Sequence, residues 1–265
     1  MNRYTWRTGV LEAVMILTAI VFMFPIYILV NMSLRGKGDL TPYHLPTANP
    51  TFDSFVNACQ QSEIGRALVN SIVITTVSVL IIVFLGAMAA YGLVRATAAW
   101  SKVTFYIFLF GLLIPFQLTM VPMYQTFAKL DMIGSPVTLV MIYIGLRMPF
   151  TVFLYAAFLR ALPLDYEEAA SIDGAGPFRR FWQVAFPLMK PVTATVIILT
   201  SLYIWNDFLA PLLYIGGTPF RTVPLEVYGG RNNFAGHLIS MLPVLIAFFI
   251  LQKSLMKSFA SGIKL

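Results

Sequence analysis

Six runs of this chain are each apolar over about the 20 residues that a helix needs to cross a hydrocarbon core, and that repetition decides the fold class. They are Leu11–Val30, Val69–Leu93, Val103–Tyr124, Pro136–Phe158, Pro191–Leu213 and Leu238–Met256. In lipid every backbone N–H and C=O must be satisfied within its own segment, so runs of this length fold as α-helices. Of 265 residues, 58% are hydrophobic and 11% charged, whereas a soluble domain carries about 25% charged residues. So much apolar surface cannot be hidden in one soluble core. The expectation is an all-α integral membrane protein of about six transmembrane helices. A single transmembrane domain is expected over residues 1–265, with a first span at about 11–30 and core spans at about 69–256.

The first run follows Arg3 and Arg7. It is longer than the apolar region of a signal peptide, about 7–15 residues, and no small-x-small cleavage site closes it. A retained first span is expected. Lys and Arg near span ends favour the cytoplasmic side. With the N-terminus inside, that side receives Arg3, Arg7, Arg95, Lys102, Arg160, Arg179, Arg180, Lys190, Lys253, Lys257 and Lys264. The outside receives Arg35, Lys37, Arg66, Lys129, Arg221 and Arg231. Both termini are therefore expected in the cytoplasm. The net charge of +7 flanks apolar runs instead of forming one basic face, so it reads as a topology signal and no nucleic-acid partner is expected.

Cys59 is the one cysteine, which rules out an internal disulfide. His44 and His237 lie far apart, and no His/Cys/carboxylate group has metal-ligand spacing. There is no G-x-x-x-x-G-K-[ST] and no H-E-x-x-H, so neither a Walker-type ATP site nor a zinc protease is expected. Gly86-x-x-x-Ala90 would let two helices approach closely, with packing inside the same subunit favoured. Pro115, Pro122, Pro149 and Pro243 are expected to interrupt spans.

The most informative segment is the polar loop 162–187 between the fourth and fifth runs. Asp165 followed by Glu168 suggests an N-cap with a capping box, and Asp165, Glu167 and Glu168 suit a helix's positive end. Gly174 can end that helix in a left-handed conformation. Gly176-Pro177 can then start a second, since proline is favoured at the first helical position. The second helix would carry Phe178, Phe181, Trp182 and Ala185 on one face and Arg179, Arg180 and Gln183 on the other. That pattern predicts an interfacial helix with its aromatics on the membrane.

Glu168-Ala169-Ala170, Gly174 after three intervening residues, Val184 after nine more, then Phe186-Pro187, resembles the EAA motif of ABC importer permeases. Val184 and Phe186 stand where the usual motif has Ile and Leu. The runs Ile114–Tyr124 and Trp205–Tyr214, and the ending Gly262-Ile-Lys264, are similar to segments of carbohydrate-type permeases, the smaller permease of a type I sugar importer. The resemblance implies a cytoplasmic coupling helix seated on an ATP-hydrolysing subunit, with Glu167, Glu168, Ala169, Ala170, Asp173, Gly174, Arg179 and Arg180 as the coupling set. It implies a prokaryotic cell membrane, a second permease, two ATPase subunits that carry ATP and Mg, and an extracytoplasmic sugar-binding protein. The chain itself would hold no cofactor.

Polar groups inside spans are costly and so mark candidate pathway residues. Tyr203, Trp205, Asn206 and Asp207 offer aromatic and hydrogen-bonding groups suited to a sugar. The alternative is that Trp205 anchors at the outer interface and Asn206 ties helices together. Arg147 lies midway along the fourth run, where insertion costs roughly 2.5–3.5 kcal/mol. It should face the bundle, water or a carboxylate, Asp207 being one candidate; a structural role competes with a substrate role. Gln117, Met120 and Tyr124 are pore-lining candidates against ordinary packing. By resemblance, the outer loop Gly216–Gly236 contacts the binding protein; a plain exposed turn is the alternative. The competing function class is an ion-coupled secondary transporter. It would want paired intramembrane carboxylates and an internal repeat, and neither is evident.

Overall fold

The computed structural model describes residues 6–36, 38–60, 63–229 and 234–262, with the side chains of 59, 60, 251 and 253–262 excepted. Arg3, Lys37, Arg231, Asn232, Asn233, Lys264 and the side chains of Cys59, Lys253 and Lys257 therefore lie outside the described residues. The helices are α1 (Trp6–Ser33), α2 (Asp53–Gln60), α3 (Ile64–Arg95), α4 (Ala99–Leu113), α5 (Phe116–Lys129) and α6 (Pro136–Ala161). Then follow α7 (Asp165–Ile172), α8 (Pro177–Arg180), a π turn (Phe181–Ala185), α9 (Phe186–Leu188), α10 (Lys190–Asn206), α11 (Leu209–Ile215), α12 (Val223–Gly229) and α13 (Phe234–Gly262). Among the described residues there is no strand, only an isolated bridge between Arg35 and Pro50.

Among the described residues, three helices are unbroken and long and apolar enough to cross a membrane: α1, α3 and α6. The third predicted span, Val103–Tyr124, is not one straight helix. α4 and α5 meet at 100°, because Pro115 has no N–H to donate and drives Ile114 into an extended conformation (φ −82°, ψ 110°). Pro122, Pro149 and Pro243 instead sit within helices that continue past them. The fifth predicted span also divides, since α10 stops at Asn206 and Asp207 is extended. The sixth run falls on α13, whose part Phe234–Ile250 is apolar.

The chain falls into two compact units, Met1–Gly65 with Glu226–Leu242, and Arg66–Leu225 with Pro243–Leu265. In the first, α1 is apolar around its whole circumference and buries only Asn31 and Ser33. A helix apolar all round needs an apolar surrounding. Asn31 anchors the loop that follows. Its Nδ2 donates to the carbonyls of Tyr43 (2.9 Å) and Leu45 (2.7 Å), and its Oδ1 accepts from the Thr47 N–H (3.0 Å). Asp39 closes the same loop. The Thr41 and Thr47 hydroxyls donate to its carboxylate and hold its pKa down from 3.8 to about 2.

In the second unit α6 is the central post, with α4, α10 and α11 packed on it. Leu139, Ile142, Tyr143, Val152, Tyr155, Ala156 and Leu159 are almost wholly buried. Leu139, Ile142 and Tyr143 share one face of the helix, and Val152, Tyr155, Ala156 and Leu159 share the opposite one, so the two ends of this post bury different sides. Lipid is as apolar as leucine, so such a bundle is held by close van der Waals fit more than by water exclusion. Gly86 of α3 shows the fit: a Cβ there would collide with the Thr151 methyl of α6. Gly86-x-x-x-Ala90 thus packs within this chain, as the sequence favoured.

Candidate functional site: a braced two-helix loop and a buried polar cluster

The loop after α6 is built by local rules. α7 ends in a Schellman motif. Gly174 adopts φ +81°, Ala175 N–H donates to the Ala170 carbonyl (2.9 Å) and Gly174 N–H to that of Ser171 (3.0 Å). Pro177 then opens α8 at its first position. The start of α7 differs from the capping-box expectation. Asp165 lies inside the helix and makes no cap; the Leu164 carbonyl accepts instead from the N–H groups of Glu167 (2.8 Å) and Glu168 (3.0 Å). The carboxylates of the first turn still complement the helix dipole.

The acidic pair Glu167-Glu168 divides its labour. Glu168 is exposed, and with Ala169, Ile172 (87% exposed) and Asp173 it forms an open face. Glu167 turns inward and is 4% exposed. Its Oε1 accepts from Arg95 Nε (2.9 Å) and lies 2.7 Å from Arg95 Nη2, while Tyr91 donates to Oε2 (2.8 Å). Both partners belong to α3.

The second half of the loop also leans on α3. The Phe181 ring lies 5.1 Å from Tyr91 and the Trp182 ring 5.5 Å from Phe84. This corrects the expected interfacial helix: these aromatics face protein, and Phe178 alone of the predicted stripe stays open at 70% exposure. A π turn runs through this stretch, where Phe186 N–H reaches back to the Phe181 carbonyl. One surplus residue per turn rotates the two flanks relative to each other. Arg180 Nη1 donates to Ser171 Oγ (2.9 Å) and ties α8 to α7, and Arg179 Nε donates to Gln183 (2.8 Å).

The polar residues of the predicted pathway fall into separate groups. Tyr143 donates to Asp207 Oδ2 (3.0 Å), and Asp207 Oδ1 accepts the Leu209 N–H (3.0 Å), so this carboxylate caps the break before α11. Asp207 is not the partner of Arg147. The Arg147 guanidinium sits between the Phe150 and Tyr203 rings, 4.5 Å from each centroid, a cation–π arrangement. Asn206 donates to the Leu202 carbonyl of its own helix (2.8 Å). Trp205 is 8% exposed and borders an apolar cavity of about 410 Å³ between α3, α10 and α13. Gln117 and Tyr124 are exposed on α5, where the Tyr124 ring lies 5.9 Å from that of Tyr214. Sequence reasoning did not single out Tyr91, Tyr143 or the pairing role of Arg95. Their signal was a polar residue near or within an apolar run, without the partner that would give it meaning.

Residues 82–261 match the model of the family described as binding-protein-dependent transport system inner membrane component. The melibiose/raffinose/stachyose import permease protein of Bacillus subtilis is 33% identical, with 97% of each chain covered. The diacetylchitobiose uptake system permease protein of Streptomyces coelicolor is 29% identical over 95% of this chain and 87% of its own. Among solved structures, a chain of a bacterial ABC transporter involved in import of the acidic polysaccharide alginate has a TM-score of 0.80 at 22% identity, covering 96% of this chain and 99% of that one.

Proposed function

We propose that this chain, which belongs to the family of inner-membrane components of binding-protein-dependent transport systems, is the permease subunit of an ATP-driven sugar importer. Relatives that span nearly its whole length are permeases for melibiose, raffinose and stachyose and for diacetylchitobiose, which supports a saccharide as the solute. On this reading a second permease completes the pore and an extracytoplasmic binding protein delivers the sugar. Two cytoplasmic subunits bind ATP and Mg and hydrolyse the nucleotide; this chain catalyses nothing. Both termini and the loop 162–187 face the cytoplasm.

The observation that carries the reading is the open face of α7: Glu168, Ala169, Ile172 and Asp173 exposed on a short helix whose other side is fixed. An exposed isoleucine beside two carboxylates suits an apolar cleft with a basic rim. ATP binding would close the ATPase subunits, draw the two coupling loops together and turn the pore outward. The driving contact differs between the two states, as any ligand-driven shift requires. Tyr203, Trp205, Asp207 and Arg147 remain the candidates for sugar contact on this subunit.

Glu168→Lys tests it. The side chain is exposed, so folding should change by no more than about 0.5 kcal/mol. The ATPase subunits should co-purify poorly, or the assembled complex should lose about tenfold in substrate-stimulated hydrolysis. Normal co-purification together with normal transport would remove the coupling role.

A further inference from the structure

We infer that Glu167, Arg95 and Tyr91 form a strut that carries displacement of α7 into α3. Glu167 is then a positioning residue for coupling, acting through α3 and not by touching the ATPase. The inference rests on the coupling reading above.

Hydrophobic packing does not hold α7 in place. Tyr166 and Ile172 are 54% and 87% exposed, and Glu167 is the one buried side chain of the helix. A buried carboxylate on an otherwise open helix must repay its desolvation, which it does only through excellent geometry. Here both oxygens are engaged, by a guanidinium at 2.7 and 2.9 Å and a phenol at 2.8 Å. Charge-assisted bonds of this kind fix direction as well as distance.

The receiving end is suited to transmission. Tyr91 and Arg95 lie four residues apart, on one face of the last turns of α3. α3 is 32 residues long and unbroken, so a push at Arg95 moves a rod about 48 Å in length. Tyr91 also carries the Phe181 ring at 5.1 Å. It therefore receives both halves of the loop, which Arg180 and Ser171 lock to each other. A loop that merely connected α6 to α10 would have no need of an ion pair to a helix 72 residues upstream.

The test uses the full complex with its ATPase subunits, in a Cys59→Ser background carrying Val69→Cys near the far end of α3. Labelling by a membrane-impermeant maleimide is compared between the nucleotide-free complex and the ATP–vanadate-trapped one. The parent should label differently in the two states. Arg95→Gln should retain its ATPase subunits yet lose that difference. Exchanging the pair, Arg95→Glu with Glu167→Arg, should restore it. Tyr91→Phe keeps the ring against Phe181 and removes only the hydroxyl; it should reduce the difference, and it decides the matter if Arg95→Gln fails to assemble. A merely structural role would lower yield without erasing the nucleotide dependence. The strut is overturned by a parent blind to nucleotide, by an undiminished difference in Arg95→Gln, or by an exchanged pair no better than the single variant. Absence of ATPase subunits from the parent complex would instead sink the coupling reading itself.

Discussion

Gly174 holds φ +81° with open space where a Cβ would stand. Its requirement is thus purely one of backbone. Gly174→Ala should cost about 1–2 kcal/mol, the strain of a left-handed L-residue, and Gly174→Asn less, because asparagine tolerates that region. Thermal unfolding of the purified chain in detergent measures both; equal stability of alanine and glycine would contradict the geometry. This turn was readable beforehand, since Gly174 and Pro177 act through bonds to residues at most five positions away. The fate of Glu167 was not. In a linear reading Glu167 and Glu168 look alike, and only the fold brings Arg95 and Tyr91 to one of them. For Arg147 the sequence left the bundle, water and a carboxylate open, and only the fold selects two aromatic rings over Asp207.

At the scale of elements, apolar length located the helices but not their breaks. Pro115 and Pro122 look equivalent in sequence, yet only the first parts two helices. A proline inside a helix can be accommodated by neighbouring groups, and which groups are near is a tertiary fact. The π turn left no sequence signal at all. Close contact between α3 and α6 was better foreshadowed, because small residues at spacing four permit approach. Gly86→Leu should destabilise the bundle by about 1–3 kcal/mol through overpacking against Thr151. A fall in midpoint temperature, absent from the control Gly145→Leu where nothing lies within 4 Å, checks this.

For the whole molecule, the expected orientation follows from charge bias alone and has a direct test. Ile172→Cys in a Cys59→Ser background, expressed without its ATPase, should react with an impermeant maleimide in inside-out vesicles and stay unlabelled in right-side-out ones. The reverse pattern would invert the topology. A last consequence concerns α1. A cylinder greasy on every side has no preferred azimuth: spinning it about its axis exchanges one hydrocarbon-compatible flank for another at almost no penalty. Its rotational setting must then be dictated from its ends, and Asn31, pinned by three bonds to the segment beyond, is the keyed end of that shaft.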